Sequence, residues 1–261
     1  MEVTFGWSLR LTGMRLIKLG IVLFTCVVLI PPLPLWPQSA QLKTAEAVLD
    51  RYKQALGGAQ AIAKVQSETV HGEIEGTGLS GKATFVSYAK PFKSIFKVTR
   101  ADGSEVISGF DGEISWSLDD QGPSIDKDTA LEAVRRDADL QYALHQPDYF
   151  KSLDLAGVAD FDGRPCYWLH GTTHWGKDNN QFYDVQTGLL AGYRFQADNK
   201  SAAVSTLVFR DYKDFGGPMV ATKLISHTGD RERTFTVKSV TYEPLAGSVF
   251  ELPPAVKALL K

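Results

Sequence analysis

The chain has 261 residues and a formal net charge of −2, with 44% hydrophobic and 22% charged residues. This length allows one domain with a sizeable core plus a targeting segment, because single β domains reach roughly 200–250 residues. The near-neutral charge gives no electrostatic footprint for nucleic acid or for an anionic membrane surface, so we expect no nucleic-acid partner.

The N-terminus has the pattern of a secretory signal. Basic residues up to Lys18 precede the apolar run LGIVLFTCVVLI and the proline-rich segment PPLPLWPQSA. The run of about 12 residues is shorter than the roughly 20 that a spanning helix needs, and cleavage after Ala40 fits a signal peptide. We therefore predict a signal peptide and leader over residues 1–40 and an exported, periplasmic protein. An uncleaved N-terminal membrane anchor and a lipid-modified Cys26 stay open as alternatives.

Residues 44–57 form the first predicted helix. Apolar side chains recur there at three- and four-residue spacing, Thr44 is a candidate N-cap, and Gly57-Gly58 end the helix. A short second turn, AQAIAKV, follows. From Ser67 the apolar period changes to two, which is typical of strands.

Hairpin signals then recur to the end of the chain. The stretch Phe110–Leu118, FDGEISWSL, places Asp111-Gly112 between two strands, and this dipeptide favours a two-residue type I′ turn. In the second strand Ile114, Trp116 and Leu118 share one face, because strand side chains alternate.

The alternating pattern breaks once, near the middle. We predict a polar loop over Asp119–Asp128 and an amphipathic helix over Asp128–His145, which Pro147 ends. Strands resume at Leu155 and continue to Tyr242, and a short helix closes the chain.

These elements predict a mainly β (α+β) fold. About eleven strands in sequential hairpins indicate an antiparallel meander, and a twisted open sheet rarely exceeds about ten strands without curling. Amphipathic helices need an apolar surface to cover. We therefore predict a curved antiparallel incomplete β-barrel whose helices cover its concave face.

No residue pattern indicates catalysis or metal binding. His170 and His174 share a strand face with Cys166, but four strand residues separate neighbours by roughly 13 Å, too far for one metal ion. The chain has no GxSxG or Walker motif. We therefore expect no enzyme activity, no catalytic residue, no metal and no cofactor, and we expect Cys166 to be a buried small hydrophobe.

Aromatic side chains in the strands suggest a cavity for an apolar ligand, although an ordinary packed core would use them equally well. Trp116 is predicted to lie beneath the central helix, at the cavity wall. Lys97, Arg100 and Arg194 are candidates to meet a ligand head group. The predicted cavity-lining residues are Phe85, Phe96, Val98, Ile114, Trp116, Leu131, Val134, Trp168, Phe182, Phe195 and Phe235.

Several segments, in this order, resemble a known family. They are ALGG (Ala55–Gly58), SETVHGEIEG (Ser67–Gly76), FDGEISWSL, FYDVQTGLL (Phe182–Leu190), FRDYKDFGG (Phe209–Gly217) and FELP (Phe250–Pro253). Over residues 45–254 the chain resembles a divergent member of the outer-membrane lipoprotein-sorting (LolA/LolB-like) superfamily. The resemblance implies a single LolA-like half-barrel domain over residues 41–261, with a helical lid and an apolar cavity. Relatives bind lipoprotein acyl chains or other lipids in the periplasm.

Residue pattern and resemblance together favour a non-enzymatic periplasmic carrier or sensor for an apolar ligand. Its partner would be a lipid or a lipidated protein, and we expect a monomer. The alternative is a structural or protein-interaction module of the cell envelope, with another envelope protein as its partner. An open apolar cavity would favour the carrier, and a packed interior would favour the module.

Overall fold

The computed structural model describes residues 41–126, 129–196 and 204–261. The predicted leader, Cys26 and Asp128 lie outside the described residues. Leu42–Lys261 form one compact unit. Among the described residues, no helix combines the length and the apolar character needed to cross a membrane.

Two short helices begin the domain, as the sequence predicts. Helix α1 (Ala45–Ala55) starts at Thr44, whose hydroxyl accepts a hydrogen bond from the amide of Ala47 at 3.1 Å and so satisfies one of the free amides of the first turn. Gly57 and Gly58 have φ angles of 113° and 90°, which side chains with a Cβ disfavour, and they end the helix. Helix α2 (Ala59–Lys64) follows.

In the described part of the chain, thirteen strands form one antiparallel sheet. They are β1 (Glu68–Gly76), β2 (Ala83–Lys90), β3 (Lys93–Thr99), β4 (Glu105–Phe110), β5 (Ser115–Asp119), β6 (Gly122–Ile125), β7 (Phe150–Phe161), β8 (Arg164–Thr173), β9 (Asp178–Asp184), β10 (Leu190–Gln196), β11 (Val204–Lys213), β12 (Val220–Thr228) and β13 (Arg231–Thr241).

The sheet consists of two meanders joined at their ends. Strands β1 to β6 pair in sequence order, strands β7 to β13 do the same, and β1 pairs with β13. Strands β6 and β7 therefore lie at opposite edges, and the ladder of described strands does not close between them. This arrangement confirms the curved, incomplete antiparallel barrel.

The chain between β6 and β7 has to travel from one sheet edge to the other. It carries helix α3 (Thr129–Asp137), helix α4 (Tyr142–His145) and a 3₁₀ turn (Gln146–Tyr149). We call residues 129–149 the lid. The remaining helices are a 3₁₀ turn (Gly247–Phe250), helix α5 (Pro254–Lys257) and a final 3₁₀ turn (Ala258–Leu260).

Strand β6 is a correction to the predicted polar loop over Asp119–Asp128. It pairs with β5 in the register Asp119↔Gly122 to Trp116↔Ile125. Pro123 lacks an amide proton and is typical of loops, but β6 is an edge strand, where one side of the backbone needs no partner. The predicted count of about eleven strands is low partly for this reason.

The predicted type I′ turn at Asp111-Gly112 is wrong. Residues 111–114 form a longer loop between the paired Phe110 and Ser115. The carboxylate of Asp111 accepts hydrogen bonds from the amides of Glu113 and Ile114, at 2.9 and 2.8 Å, and this replaces the tight turn. Positive φ at both central residues, as a type I′ turn requires, occurs at another Asp-Gly pair, where Asp162 and Gly163 have φ angles of 56° and 74°.

The central helix is also corrected, because it breaks into two pieces. Helix α3 ends at Asp137, and the carboxylate of Asp139 accepts a hydrogen bond from the amide of Gln141 at 3.0 Å. Aspartate competes with the backbone in this way and so interrupts a helix. At the same break the carbonyl of Ala138 accepts a hydrogen bond from the amide of Phe92, in the β2–β3 turn. The lid is thus tied to the first meander at its bend.

Different segments of the chain pack on the two faces of the sheet. On one face α1 packs its buried Val48 and Leu49 on Tyr167, Leu169 and Tyr183; we call this the inner face. Neighbouring strand residues point to opposite faces, so the intervening side chains lie on the outer face.

Trp116 lies on the outer face, which corrects its predicted place beneath the central helix. It packs with Ile95 against Phe250 and Val256 of the C-terminal segment. The neighbour of Ile95 along β3, Phe96, points to the inner face. A strand periodicity of two shows that Trp116 is on an apolar face, but both faces of this meander are covered by apolar segments.

Loss of a buried side chain of the C-terminal segment should destabilise the protein. Phe250 is 2% exposed within the outer-face cluster, so Phe250→Ala should lower the free energy of unfolding by about 3–5 kcal/mol through lost burial and a cavity. Urea denaturation measures this. Leu259, which is 50% exposed, is the matched control, and Leu259→Ala should change stability by less than about 0.5 kcal/mol. Equal effects of the two changes would show that the C-terminal segment does not pack as described.

Candidate functional site

A cavity of about 670 Å³ lies between the inner face of the sheet and the helices. Its volume falls within the roughly 300–1,000 Å³ of typical ligand sites. Its lining comes from α1 and α2, from the lid, and from the strands on both sides of the β1–β13 joint. The lining residues are Tyr52, Leu56, Ile62, Val65, Glu68, Val70, Phe85, Ser87, Phe96, Leu140, Tyr142, Ala143, Leu190, Tyr193, Leu207, Phe209, Tyr212, Pro218, Met219, Val220, Ala221, Leu224, Ser226, Phe235, Val237 and Tyr242.

Three phenylalanines form one apolar wall of this cavity. The ring centroids of Phe85, Phe96 and Phe235 are 5.5 to 6.5 Å apart, a usual range for aromatic pairs. Gly72 leaves space for the ring of Phe85, because a Cβ at this position would lie 2.3 Å from Cε1 of Phe85. The wall therefore depends on a glycine within β1, at the residue where the β1–β13 register shifts.

Tyrosines line the middle of the cavity. Burial raises the pKa of Tyr52, Tyr142 and Tyr193, so all three stay protonated at neutral pH. Their hydroxyls form no hydrogen bond with the residues that the structure describes. They are available as hydrogen-bonding groups for a polar atom of a ligand within a mainly apolar space.

Among the described residues that line this cavity, Glu68 is the one charged residue. It is the first residue of β1, and burial raises the pKa of its carboxyl group. The hydroxyl of Tyr242, which also lines the cavity, is buried and has no hydrogen-bond partner in the described part of the chain. Burial, followed by the charge of Glu68, raises the pKa of Tyr242 to about 12.

A second, more polar cavity of about 560 Å³ adjoins the first, and the two share Tyr142, Tyr193 and Leu207. Arg136 of α3 lies over the ring of Trp175, with 5.6 Å from Cζ to the ring centroid. Its Nη2 pairs with Oδ1 of the neighbouring Asp137 at 2.7 Å. The remaining lining residues are Ala133, Thr173, Lys177, Asp178, Asn179, Phe195 and Gln196.

The lid is held over the cavities by buried polar contacts. The side chain of Asp139 is 1% exposed and accepts hydrogen bonds from the hydroxyl of Tyr149 at 2.8 Å and, in its Nδ1–H form, from His145 at 2.9 Å. Further along, the amide nitrogen of Gln146 donates to the side chain of Gln181 and to the hydroxyl of Tyr183. These contacts fix the second half of the lid to itself and to β9.

No family model and no curated protein sequence matches the chain. Solved structures do match it. A LolA superfamily protein from Nitrosomonas europaea aligns with a TM-score of 0.57 and 14% identity over 81% of this chain and 99% of its own. The chain has the LolA fold.

Two further structures share this fold. A DUF1329 family protein from Desulfovibrio piger aligns with a TM-score of 0.56 and 19% identity over 80% of this chain and 98% of its own. A putative outer membrane lipoprotein-sorting protein domain from Vibrio parahaemolyticus aligns with a TM-score of 0.55 and 10% identity over 82% of this chain and 98% of its own. At these identities the likeness shows the LolA fold and leaves the ligand to be argued from the cavity.

Some of the predicted site residues meet in this LolA-fold cavity and others do not. Phe85, Phe96 and Phe235 line the larger cavity, and Phe195 lines the polar one. Val98 packs beside Phe85 on the inner face. Ile114 lies in the β4–β5 loop and Trp116 on the outer face, while Leu131 and Val134 are partly buried on α3 outside both linings.

Trp168 and Phe182 lie on the outer face. The ring of Phe182 stacks with those of Trp168 and Phe161, beside the buried Cys166, and the guanidinium of Arg194 lies 5.2 Å from the Phe182 ring centroid. The inner positions of β8 and β9 are filled instead by Tyr167, Leu169 and Tyr183, which are equally apolar. The expected burial of Cys166 is confirmed, and burial raises its pKa to about 12.

The predicted head-group cations also lie elsewhere. Lys97 pairs with Glu105 at 2.5 Å and Arg100 with Asp120 at 2.8 Å, and neither they nor Arg194 line the two cavities. The predicted cavity-lining residues include neither the tyrosines nor Glu68. The sequence signal that points to Glu68 is the alternation of side chains along β1, which places Glu68 on the same face as the apolar Val70.

Removing the lid anchor should loosen the lid. Asp139→Ala leaves the hydroxyl of Tyr149 and the amide of Gln141 without their acceptor, so stability should fall by about 1–3 kcal/mol. Amides of residues 139–149 should exchange with solvent faster than in the parent protein. Asp148, which is exposed on the same segment, is the control, and Asp148→Ala should leave exchange unchanged. Unchanged exchange in Asp139→Ala would contradict an anchoring role.

Glu68 should make stability pH-dependent. Because its pKa is raised on folding, the folded state binds the proton more tightly, and stability falls as pH rises through the folded-state pKa. Glu68→Gln cannot ionise, so it should melt at a higher temperature than the parent at pH 7, and this gain should disappear at a pH below the unfolded-state value near 4.3. Calorimetry at both pH values measures it. A lower melting temperature at pH 7 would contradict the environment described for this carboxylate.

Proposed function

We propose that this protein is a non-enzymatic binding protein, a carrier or sensor, for an apolar ligand such as a lipid or a lipoprotein acyl chain. The supporting observation is the inner-face cavity of about 670 Å³, which is lined mainly by aliphatic and aromatic side chains. Burial of an apolar chain there removes its surface from water, which is the main driving force for such binding.

The fold and the N-terminal sequence are consistent with this function. One protein of the same fold is described as a putative outer membrane lipoprotein-sorting protein domain. The basic, apolar and proline-rich N-terminal segments favour export to the periplasm. A ligand in that compartment would be a lipid or a lipidated protein, held by a single copy of this chain.

Lipid retention tests the proposal. The full chain, purified from cells without detergent stripping, should carry lipid-sized adducts in native mass spectrometry. Leu224 faces the cavity opposite Phe235, so Leu224→Trp should fill part of the space and reduce the bound fraction severalfold. Val158, which is 45% exposed on β7 and outside the lining, is the control, and Val158→Trp should retain lipid like the parent.

A protein that neither retains lipid nor takes up a lipid-like probe would overturn the proposal, provided that its circular dichroism and unfolding transition are those of a folded protein. Retention that is equal in Leu224→Trp and Val158→Trp would place the lipid outside this cavity.

An interaction module of the cell envelope is the second candidate, and one observation favours it. Strand β7 has twelve residues and pairs with β8 alone among the described strands, so its other edge can accept a strand from a partner protein. A stoichiometric envelope protein that is recovered with the chain, and is lost when Val158 in β7 is replaced by proline, would support this function.

A further inference from the structure

We propose that the ligand carries a positively charged ammonium group and that Glu68 binds it inside the larger cavity. This inference rests on the proposed ligand-binding function and specifies the chemical class of the ligand. It arises from an unusual combination, a single carboxylate among the described residues that line a mainly aromatic and aliphatic cavity.

The position of Glu68 in the sheet directs it to the cavity. Glu68 opens β1 and lies opposite Ala89 of β2, two residues before Val70, which lies opposite Ser87. Residues two apart on a strand share a face, and Val70 and Ser87 both line the cavity. The carboxylate therefore belongs to the inner surface and not to the solvent side of the strand.

The carboxylate of Glu68 has no ion pair or hydrogen bond within the described part of the chain. The next acid along β1 is different, because Glu73 pairs with Lys82 at 3.4 Å and with Lys238 at 3.1 Å. A carboxylate beside apolar side chains loses hydration and costs stability unless a partner compensates it. A departure from ordinary packing rules of this kind is expected where a ligand supplies the missing partner.

A second unsatisfied group lies near the first. The buried hydroxyl of Tyr242 has no hydrogen-bond partner in the described residues, and the charge of Glu68 contributes to its raised pKa. The hydroxyl therefore stays protonated and keeps lone pairs that can accept a hydrogen bond. An ammonium group offers three N–H donors, enough for both Glu68 and Tyr242.

The rest of the lining also favours a cation. Aromatic faces attract positive charge, and no lysine or arginine lies among the described residues that line this cavity. A carboxylate or phosphate ligand would meet Glu68 as a like charge. Arg136 lines the neighbouring polar cavity, where Asp137 already pairs with it. The predicted order of affinity is therefore amine first, neutral alcohol second and carboxylate last.

Three amphiphiles with one chain length test this order. Dodecylamine, dodecanol and dodecanoate are titrated below their aggregation concentrations into the full-length protein, freed of copurified lipid, at pH 7. Dodecylamine should bind about tenfold more tightly than dodecanol, the usual value of a hydrogen bond to a charged group. Glu68→Gln should remove this tenfold preference, so that dodecylamine binds no more tightly than dodecanol.

Glu75 provides the matched control. It is an exposed glutamate on the same strand and is not in the cavity lining, so Glu75→Gln makes the same chemical change without altering the cavity. It should leave all three affinities unchanged. A loss of amine preference in Glu75→Gln as large as in Glu68→Gln would overturn the assignment, because it would reflect the net charge of the protein.

The failures of the two proposals are distinguishable. If dodecanol and dodecylamine bind equally to the parent protein, the ammonium inference is overturned while the cavity remains a lipid site. If dodecanoate binds most tightly, the inference is overturned in favour of an anionic head group. If none of the three binds, the proposed function itself fails.

Two sources could supply the ammonium group, a simple long-chain amine or a phospholipid with an ethanolamine head group. Lysophosphatidylethanolamine and lysophosphatidylglycerol that carry the same acyl chain distinguish these two sources. Tighter binding of the ethanolamine lipid than of the glycerol lipid, lost in Glu68→Gln, supports a phospholipid source. If neither lysolipid binds while dodecylamine does, the simple amine is supported.

Discussion

The pairing of β1 with β13 sets the topology of the whole sheet. These strands are far apart in the sequence, yet they join the two meanders of described strands into one sheet. Once they pair, β6 and β7 become opposite edges, although β7 is the next strand after β6 along the chain. The connection between them then has to cross the inner face, and this crossing segment becomes the lid.

The same pairing also shapes one wall of the cavity. β1 and β13 shift by one residue between His71 and Gly72, and the glycine leaves room for Phe85. A small residue at the joint thus lets one aromatic ring lie against the sheet and form a wall with Phe96 and Phe235. The helices bridge the space above this wall without filling it. An unclosed sheet with short helices across it provides a ligand volume by its geometry alone.

The two cavities under the lid differ in their charged side chains. The larger cavity holds one carboxylate among apolar and tyrosine side chains, and the polar cavity beside it holds Arg136 with its partner Asp137. Tyr142 and Tyr193 form the boundary between the two. A LolA fold is compatible with many apolar ligands, because function resides in sites and not in folds. In this chain Glu68 and the buried hydroxyl of Tyr242 supply the chemistry that can select among them.

Much of the local structure of this protein can be predicted from its amino-acid sequence. The cap at Thr44, the glycine stop of α1 and most of the strands follow from side-chain periodicity and backbone preference over a few residues. Which face of each strand is the inner one depends on long-range packing. Along β8, Trp168 alternates with Tyr167 and Leu169, so both faces are apolar, and a period of two cannot choose between them. The choice comes from the β1–β13 joint and from where α1, the lid and the C-terminal segment pack, and these contacts join residues that are distant in the chain.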